Sequence, residues 1–169
     1  LEAAARVDPD LDLTVFLAGR QHSSQLSDIL SGEAACLLRE RGRLVEANRF
    51  LMPGQDIDPM NAADIAWVFY GPAFVYPSSV LVRSAQVGLP VISRRQGMIG
   101  RLVEQTGCGL VVASAAPDDV AAALTRLARD PALRDELGAN GVRAFAGNTP
   151  EAFAQPLVDR IGRALKEGR

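Results

Sequence analysis

The chain has 169 residues, of which 48% are apolar and 22% are charged, and its formal net charge is −2. This length fits one domain with a sizeable core, and the balanced charge excludes an electrostatic basis for binding nucleic acid or a strongly acidic substrate. Cys36 and Cys108 lack the paired spacing of a zinc site or a disulfide framework, so a reduced, cytoplasmic setting is the default expectation.

The hydropathy pattern contains no membrane-spanning signal. No apolar run reaches the length of a bilayer span, and the first residues do not form a secretory signal. We therefore expect a soluble protein, and this expectation is compatible with a peripheral membrane association.

The first half of the chain alternates predicted helices and strands. Ser23–Arg41 carries apolar residues at helical spacing and is predicted as one amphipathic helix. Ile65–Tyr70 is a nearly continuous apolar run that Gly71-Pro72 ends. The other elements predicted here are a helix end at Leu1–Val7, strands at Asp12–Ala18 and Arg49–Met52, and one helical turn at Met60–Ala63.

The second half continues the alternation and ends in three helices. The predicted elements are a helix at Ser78–Val87, a strand at Pro90–Ser93, a helix at Met98–Gln105, a strand at Gly109–Ala113, and helices that begin near Pro117, Pro131 and Thr149. Prolines suit the first turn of a helix. The last helix, 149–169, has an apolar stripe that we expect to pack on the domain (Phe153, Leu157, Ile161 and Leu165), and Pro156 predicts a bend in it.

Short apolar strands separated by helices predict an α/β fold: one Rossmann-like domain, 1–169, with a parallel sheet and helices on both faces. A doubly wound sheet normally opens with a central strand, and no strand precedes the helix at Leu1–Val7. We therefore expect that this chain is part of a longer protein and lacks the first strand of the sheet.

Several segments carry a family resemblance, which extends from Asp12 to Arg169. They are NAADIAWVFY (61–70), GLPVIS (88–93), RRQGMIGRLVEQTGCGLVV (94–112) and the paired tail helices of 116–145. In order and spacing they resemble the C-terminal, donor-binding domain of GT-B glycosyltransferases of the family 4, or group 1, type. The resemblance implies the C-terminal half of a GT-B fold.

The resemblance also implies an activity. Such enzymes transfer a sugar from a nucleotide-diphosphate donor to an acceptor, with no metal and no cofactor required. The C-terminal domain holds the nucleotide sugar, and an N-terminal domain, missing from this chain, brings the acceptor. Helix N-termini suit such a donor because their unpaired N–H groups favour a diphosphate.

The sequence departs from the family pattern at the donor site. The family's two glutamates, eight positions apart, correspond to Val75 and Arg83, and neither side chain can accept hydrogen bonds from sugar hydroxyls. The family glycine and the residue after it become Tyr76 and Pro77, and proline has no N–H for a phosphate. The family's Gly-Gly and the acid after it become Gly97-Met98 and Arg101.

The candidates combine positions of the family motif with a cluster of three arginines, Arg94, Arg95 and Arg101, at the carboxyl end of a predicted strand, where an anion would bind. Candidates for the donor and its diphosphate are Tyr76, Ser78, Ser79, Arg83, Arg94, Arg95, Gly97 and Arg101. Candidates for the nucleotide loop are Gly19, Arg20 and Met52. No catalytic residue and no metal ligand is predicted. We expect nucleotide sugars to bind this chain weakly.

Each candidate also has a structural interpretation. Ser78 and Ser79 fit the preferred cap of a helix, and exposed arginines commonly have no specific role. His22 has no partner acid in the sequence that would make it a general base. Trp67 is interpreted as a core residue, and Cys36 and Cys108 as inert thiols.

Two alternatives to a donor domain stay open at this point. The lost acids favour a non-catalytic GT-B-like domain that acts in protein interaction or regulation. The second alternative is another GT-B-like enzyme, such as a sugar-nucleotide epimerase, which shares the fold but not the helices at the end of this chain.

Overall fold

The structure, a computed structural model, describes residues 1–21, 23–52, 54–55, 57–71 and 73–167. Its strands are β1 (Val15–Ala18), β2 (Leu44–Ala47), β3 (Ala66–Val68), β4 (Val91–Arg94) and β5 (Gly109–Val112). Its helices are α1 (Glu2–Arg6), α2 (Ser24–Ser31), α3 (Glu33–Glu40), α4 (Ile57–Asn61), α5 (Ser79–Gln86), α6 (Gly97–Thr106), α7 (Pro117–Arg129), α8 (Pro131–Phe145) and α9 (Pro150–Glu167).

All strand pairs in the described part of the chain are parallel. β1 pairs with β2, with Val15 opposite Leu44. β4 lies between β3 and β5, with Val91 opposite Ala66 on one side and Gly109 on the other. The parallel pairing of β3 with β4 confirms the prediction. The expected single sheet is instead two hydrogen-bonded units, β1-β2 and β3-β4-β5.

Helices cover both faces of the three-stranded unit. Val91 packs in one buried cluster with Leu81 of α5 and Val103 of α6. The next residue, Ile92, packs in a second cluster with Ala3 of α1 and Leu127 of α7. Because successive side chains of a strand point to opposite faces, β4 anchors both layers, as the predicted fold class requires.

Helix α8 crosses the end of α5 at very close range. A Cβ on Gly138 would lie 2.1 Å from the carbonyl oxygen of Gly88, and one on Gly141 would lie 3.1 Å from the Cβ of Ala85. Gly88 itself has φ = 77°, a left-handed conformation that favours glycine. Glycine on both sides therefore lets α8 seat against the turn between α5 and β4.

The strand predicted at Arg49–Met52 is wrong; the strand lies at Leu44–Ala47. Helix α3 ends in a turn at Gly42, whose φ is 67°, and the N–H of Arg43 returns to the carbonyl of Leu38. The chain therefore enters β2 two residues later and has left the sheet before Phe50.

The single helix predicted at Ser23–Arg41 is also wrong. Gly32 adopts an extended conformation and separates α2 from α3, as expected for a residue that weakens helix interiors. The helical turn predicted at Met60–Ala63 begins earlier, at Ile57, and only its last residues overlap the prediction.

Two burial predictions are wrong. Trp67 is 52% exposed on β3 because no described element covers that part of the strand. The stripe of α9 does not pack on the domain: Phe153 is 79% exposed, and Leu157, Ile161 and Leu165 are exposed too. Helix α9 continues through Pro156, and the bend predicted there stays a prediction. In the described part of the chain, no helix is both long and apolar enough to cross a membrane.

Candidate functional site

A contact between two hydroxyl groups connects the start of α5 to the end of β3. Ser78 is the N-cap residue, and its Oγ accepts a hydrogen bond from the N–H of Leu81 at 3.2 Å. The same Oγ lies 2.9 Å from the hydroxyl of Tyr70, which follows β3. Ser78 is buried, so the capping interpretation of this serine is confirmed, and its hydroxyl is already engaged.

The loop between β3 and α5 is filled by its own aromatic rings. Tyr70 and Phe74 stack with centroids 4.2 Å apart, and the exposed Tyr76 meets Phe74 edge-on at 6.1 Å. A notch beside this loop has a volume of only about 10 Å³, and its lining includes Tyr70, Phe74, Arg94 and Gln96. That space suits a water molecule. A sugar phosphate therefore has to bind outside the notch or displace this loop.

Arg94, the last residue of β4, is held over an aromatic ring. Its guanidinium carbon lies 5.6 Å from the centroid of Phe69, which stacks in turn on Trp67 at 4.5 Å. A cation over a ring face is attracted by the ring quadrupole. Among the described residues, no acid lies within ion-pair distance of Arg94. The ring of Phe69 thus holds the guanidinium group of Arg94 in place, and no described acid neutralises its charge.

Arg95 and Arg101, the other two arginines near the end of β4, differ in their partners. Arg95 forms an ion pair with Glu104 of α6 at 3.2 Å, and both side chains are largely exposed. Arg101 is exposed one turn into α6, and no described acid pairs with it. Of the three arginines predicted to bind an anion, Arg94 and Arg101 therefore have no acid partner among the described residues.

Helix α6 begins beside these arginines with an uncapped N-terminus. The side chain of its N-cap residue, Gln96, makes no capping hydrogen bond, so within the described part of the chain this residue leaves the first N–H groups uncapped. Gly97 has φ = 76°, and a Cβ there would lie 3.3 Å from the carbonyl oxygen of Phe74. Gly97 therefore lets the β3–α5 loop rest against the start of α6.

The nucleotide-loop candidates belong to the other strand unit. Gly19 has φ = 128° and donates its N–H to Ala47. Gln21 then donates its N–H to the side chain of Asn48 at 3.0 Å, which ties the loops after β1 and β2. Arg20 and Met52 are exposed in these loops. No hydrogen bond or ion pair between described residues joins Gly19, Arg20 or Met52 to Arg94 or Arg101.

The structure brings only part of the predicted set together. Tyr76, Ser78, Arg94 and Gly97 converge where β3 and β4 end, the edge at which open α/β sheets bind ligands. Ser79 and Arg83 are exposed on α5. Val75, at the position of a family glutamate, is exposed in the loop beside them. His22 lies outside the described residues.

The cysteines do not contribute to this site. Cys108 is fully buried before β5, and burial raises the pKa of its thiol, so it stays protonated and unreactive. Cys36 is exposed on α3, and its Sγ lies 3.8 Å from the carbonyl oxygen of Ser31. In the described part of the chain, no three histidine, cysteine or acidic residues cluster as a metal site would require.

Tyr70 and Phe74 are the residues that the sequence interpretation missed. Tyr70 supplies the hydroxyl at the N-cap of α5, and Phe74 lines the notch. One signal was available: Tyr70 ends an apolar strand at the carboxyl edge, where polar-tipped side chains meet ligands. The stacking with Phe74 had no signal, because it arises only once the loop folds back.

No sequence model of a protein family matches the chain, and no curated protein sequence matches it either. Solved structures do. The chain is similar to WaaG, a glycosyltransferase involved in lipopolysaccharide biosynthesis, with a TM-score of 0.67 and 19% identity over 94% of this chain and 40% of that one. Sucrose-phosphate synthase from Thermosynechococcus elongatus matches with a TM-score of 0.67 and 19% identity, and the match covers 99% of this chain and 42% of that one. Alr3699/HepE from Anabaena, solved in complex with UDP, matches with a TM-score of 0.69 and 18% identity, and the match covers 96% of this chain and 43% of that one.

These matches establish the fold. The neighbours are GT-B glycosyltransferases, and the chain has the Rossmann-like fold of one of their halves, as the sequence resemblance implied. The chain spans less than half the length of each of these neighbours.

Proposed function

We propose that this chain is the donor-binding domain of a glycosyltransferase of the family 4, or group 1, type. Its ligand is a nucleotide-diphosphate sugar, and its donor site is degenerate. Among the solved structures similar to it, one is described as bound to UDP, another as a glycosyltransferase and a third as a sucrose-phosphate synthase. The domain acts together with an N-terminal domain that brings the acceptor, and the protein works in the cytoplasm.

One observation carries the proposal: among the described residues, Arg94 at the end of β4 and Arg101 one turn into α6 have no acid partner, and the uncapped start of α6 lies between them along the chain. Arg94 is fixed over Phe69, and Arg101 lies one turn into the helix. Guanidinium groups bind phosphate oxygens through charge-assisted hydrogen bonds, and the helix start adds N–H donors and partial positive charge. A diphosphate fits this chemistry without a metal ion.

We expect this binding to be weak, and the same geometry supports that expectation. The hydroxyl of Ser78, a predicted donor-site residue, is already hydrogen-bonded to the N–H of Leu81 and lies against the hydroxyl of Tyr70, and Arg95 is paired with Glu104. Val75 and Arg83 offer no carboxylate for the sugar and ribose hydroxyls. The domain therefore holds the diphosphate by charge and recognises the sugar poorly.

A titration with UDP followed by amide NMR tests the proposal. We expect the largest shifts at the amides of Gly97, Met98 and Ile99, with a dissociation constant weaker than micromolar. A charge-assisted hydrogen bond contributes about 1.5–3 kcal/mol, so Arg94→Gln should weaken binding by roughly tenfold or more.

The matched control is Arg126→Gln, which removes the same charge from an exposed position in the last turn of α7. It should leave UDP binding unchanged. Equal losses for the two variants would show that UDP responds to overall charge rather than to this site, and shifts confined to other elements would refute the proposed position.

A further inference from the structure

The loop between β3 and α5 rests against the start of α6, where the diphosphate is proposed to bind. A Cβ on Gly97 would lie 3.3 Å from the carbonyl oxygen of Phe74 and 3.9 Å from the Cα of Val75. The ring of Tyr76 in turn meets the ring of Phe74 edge-on, with centroids 6.1 Å apart. A group attached to a diphosphate at this helix start therefore has Val75 and Tyr76 as near neighbours.

The side chains next to this contact are apolar and exposed. Val75 is 57% exposed, Tyr76 is 67% exposed, and Met98, the residue after Gly97, is 41% exposed. Single exposed apolar side chains are common on protein surfaces, whereas a group of them with polar residues around it is typical of a binding groove. These three side chains, which we call the apolar rim, therefore point to a ligand with an apolar part.

The polar groups of the same loop offer little to the hydroxyl groups of a sugar. The sequence of the loop, GPAFVYP (71–77), contains no acid and no amide side chain. The hydroxyl of Ser78, directly after it, is already engaged with Leu81 and Tyr70, and the described residues that line the notch beside the loop include no acid. A sugar hydroxyl placed here gives up its hydrogen bonds to water without replacing them, which is unfavourable.

We propose that the ring of Tyr76 packs against the apolar face of the donor sugar, and that the site takes sugars poor in hydroxyl groups, such as 6-deoxyhexoses. In a 6-deoxyhexose a methyl group replaces a hydroxymethyl group, so a group that needs a hydrogen bond is exchanged for one that gains from burial against an aromatic ring. Tyr76 is thus the residue that determines sugar specificity. This inference rests on the proposed function, which assigns the diphosphate to the start of α6 and the nucleotide to the loops after β1 and β2.

Two nucleotide sugars that differ by one hydroxyl group test the inference. UDP-6-deoxy-D-glucose has a methyl group where UDP-D-glucose has a hydroxymethyl group, and UDP lacks the sugar altogether. Amide NMR titrations of the unaltered chain give the three dissociation constants. We expect the deoxy sugar to bind at least about fourfold more tightly than UDP-D-glucose, which corresponds to the burial of one methylene group. Equal affinities, or tighter binding of UDP-D-glucose, would overturn the inference.

Variants of Tyr76 show whether the ring is the source of the preference. Tyr76→Ala should abolish the difference between the two sugars and leave the binding of UDP unchanged, whereas Tyr76→Phe, which keeps the ring, should retain the difference. The matched control is Phe153→Ala, which removes an exposed aromatic ring from α9 and should change none of the three constants.

Two results with these variants would overturn the inference. One is a preference for the deoxy sugar that survives in Tyr76→Ala. The other is an equal loss of UDP and of both sugars in Tyr76→Ala, because the ring would then contact the nucleotide instead of the sugar. Tyr76 is exposed and lies outside the helices and strands, so its variants should fold, and the comparison of the two sugars on the unaltered chain does not depend on them.

The titration with UDP separates this inference from the proposed function. If UDP shifts none of the amides of Gly97, Met98 and Ile99, the proposed function fails and this inference fails with it. If UDP binds at those amides but the unaltered chain does not distinguish the two sugars, the inference alone fails.

Discussion

The hydroxyl of Tyr70 lies 2.9 Å from the Oγ of Ser78, the residue that caps α5. This contact joins the end of β3 to the start of α5 across a loop of seven residues, 71–77. It holds the start of α5 against the end of β3, and it accounts for the burial of Ser78 directly after a loop with several exposed residues.

Replacing Ser78 should be costly. We expect Ser78→Ala to lower the free energy of unfolding by about 1–2 kcal/mol, because it removes a cap and the partner of a half-buried hydroxyl. Tyr70→Phe should cost less, about 0.5–1.5 kcal/mol. Ser79→Ala is the matched control: Ser79 is exposed, and its replacement should change stability by less than about 0.5 kcal/mol. Urea unfolding measures all three, and an equal effect of Ser78→Ala and Ser79→Ala would contradict the assigned cap.

Two helical glycines should respond in opposite directions to alanine. A Cβ on Gly138 would lie 2.1 Å from a backbone oxygen, whereas one on Gly162 of α9 would meet nothing within 4 Å. Gly138→Ala should therefore destabilise the domain by roughly 1–3 kcal/mol through overpacking. Gly162→Ala should stabilise helix α9 by roughly 0.5–1 kcal/mol, which circular dichroism detects as higher helicity. A neutral Gly138→Ala would mean that α8 does not approach the turn at Gly88 as closely as the structure shows.

The exposed stripe of α9 should contribute little to the stability of the domain. Leu157→Ala is expected to change the free energy of unfolding by less than about 0.5 kcal/mol, since Leu157 is exposed. Leu127→Ala, the same change at a fully buried position of α7, should cost about 2–5 kcal/mol. If both substitutions cost the same in thermal or urea unfolding, the stripe of α9 is packed, as the sequence pattern first indicated.

The strands that the sequence predicted well are those with an unmixed pattern. β3, β4 and β5 lie in apolar runs bounded by glycine and proline, and such runs are typical of buried parallel strands. β2 was missed because it contains Glu46, which interrupts the apolar pattern. In the structure Arg39 of α3 donates to Glu46 at 2.9 Å and lowers its pKa. That pairing depends on how α3 packs, which periodicity does not report.

Burial was harder to predict than secondary structure. Trp67 has the sequence environment of a core residue, yet it is exposed, because an apolar run does not say which elements cover its strand. The stripe of α9 has the periodicity of a packed helix, but a pattern does not say which surface receives it. At the site, helix-capping preference identified Ser78, whereas the contact of the Tyr70 hydroxyl with Ser78 and the Arg95–Glu104 pair depend on how the folded chain brings these residues together.

Calorimetry of donor binding tests the central claim most directly. The claim is that this domain keeps a donor-site scaffold in which Val75 and Arg83 have replaced two sugar-binding carboxylates. At about 1.5–3 kcal/mol for each charged hydrogen bond, the two losses weaken binding by roughly two to four decades. The account predicts that the unaltered chain binds UDP- or GDP-sugars more weakly than micromolar, and that Val75→Glu with Arg83→Glu raises the affinity more than either change alone. Micromolar binding by the unaltered chain, or a double variant that binds no better than the single ones, would contradict it.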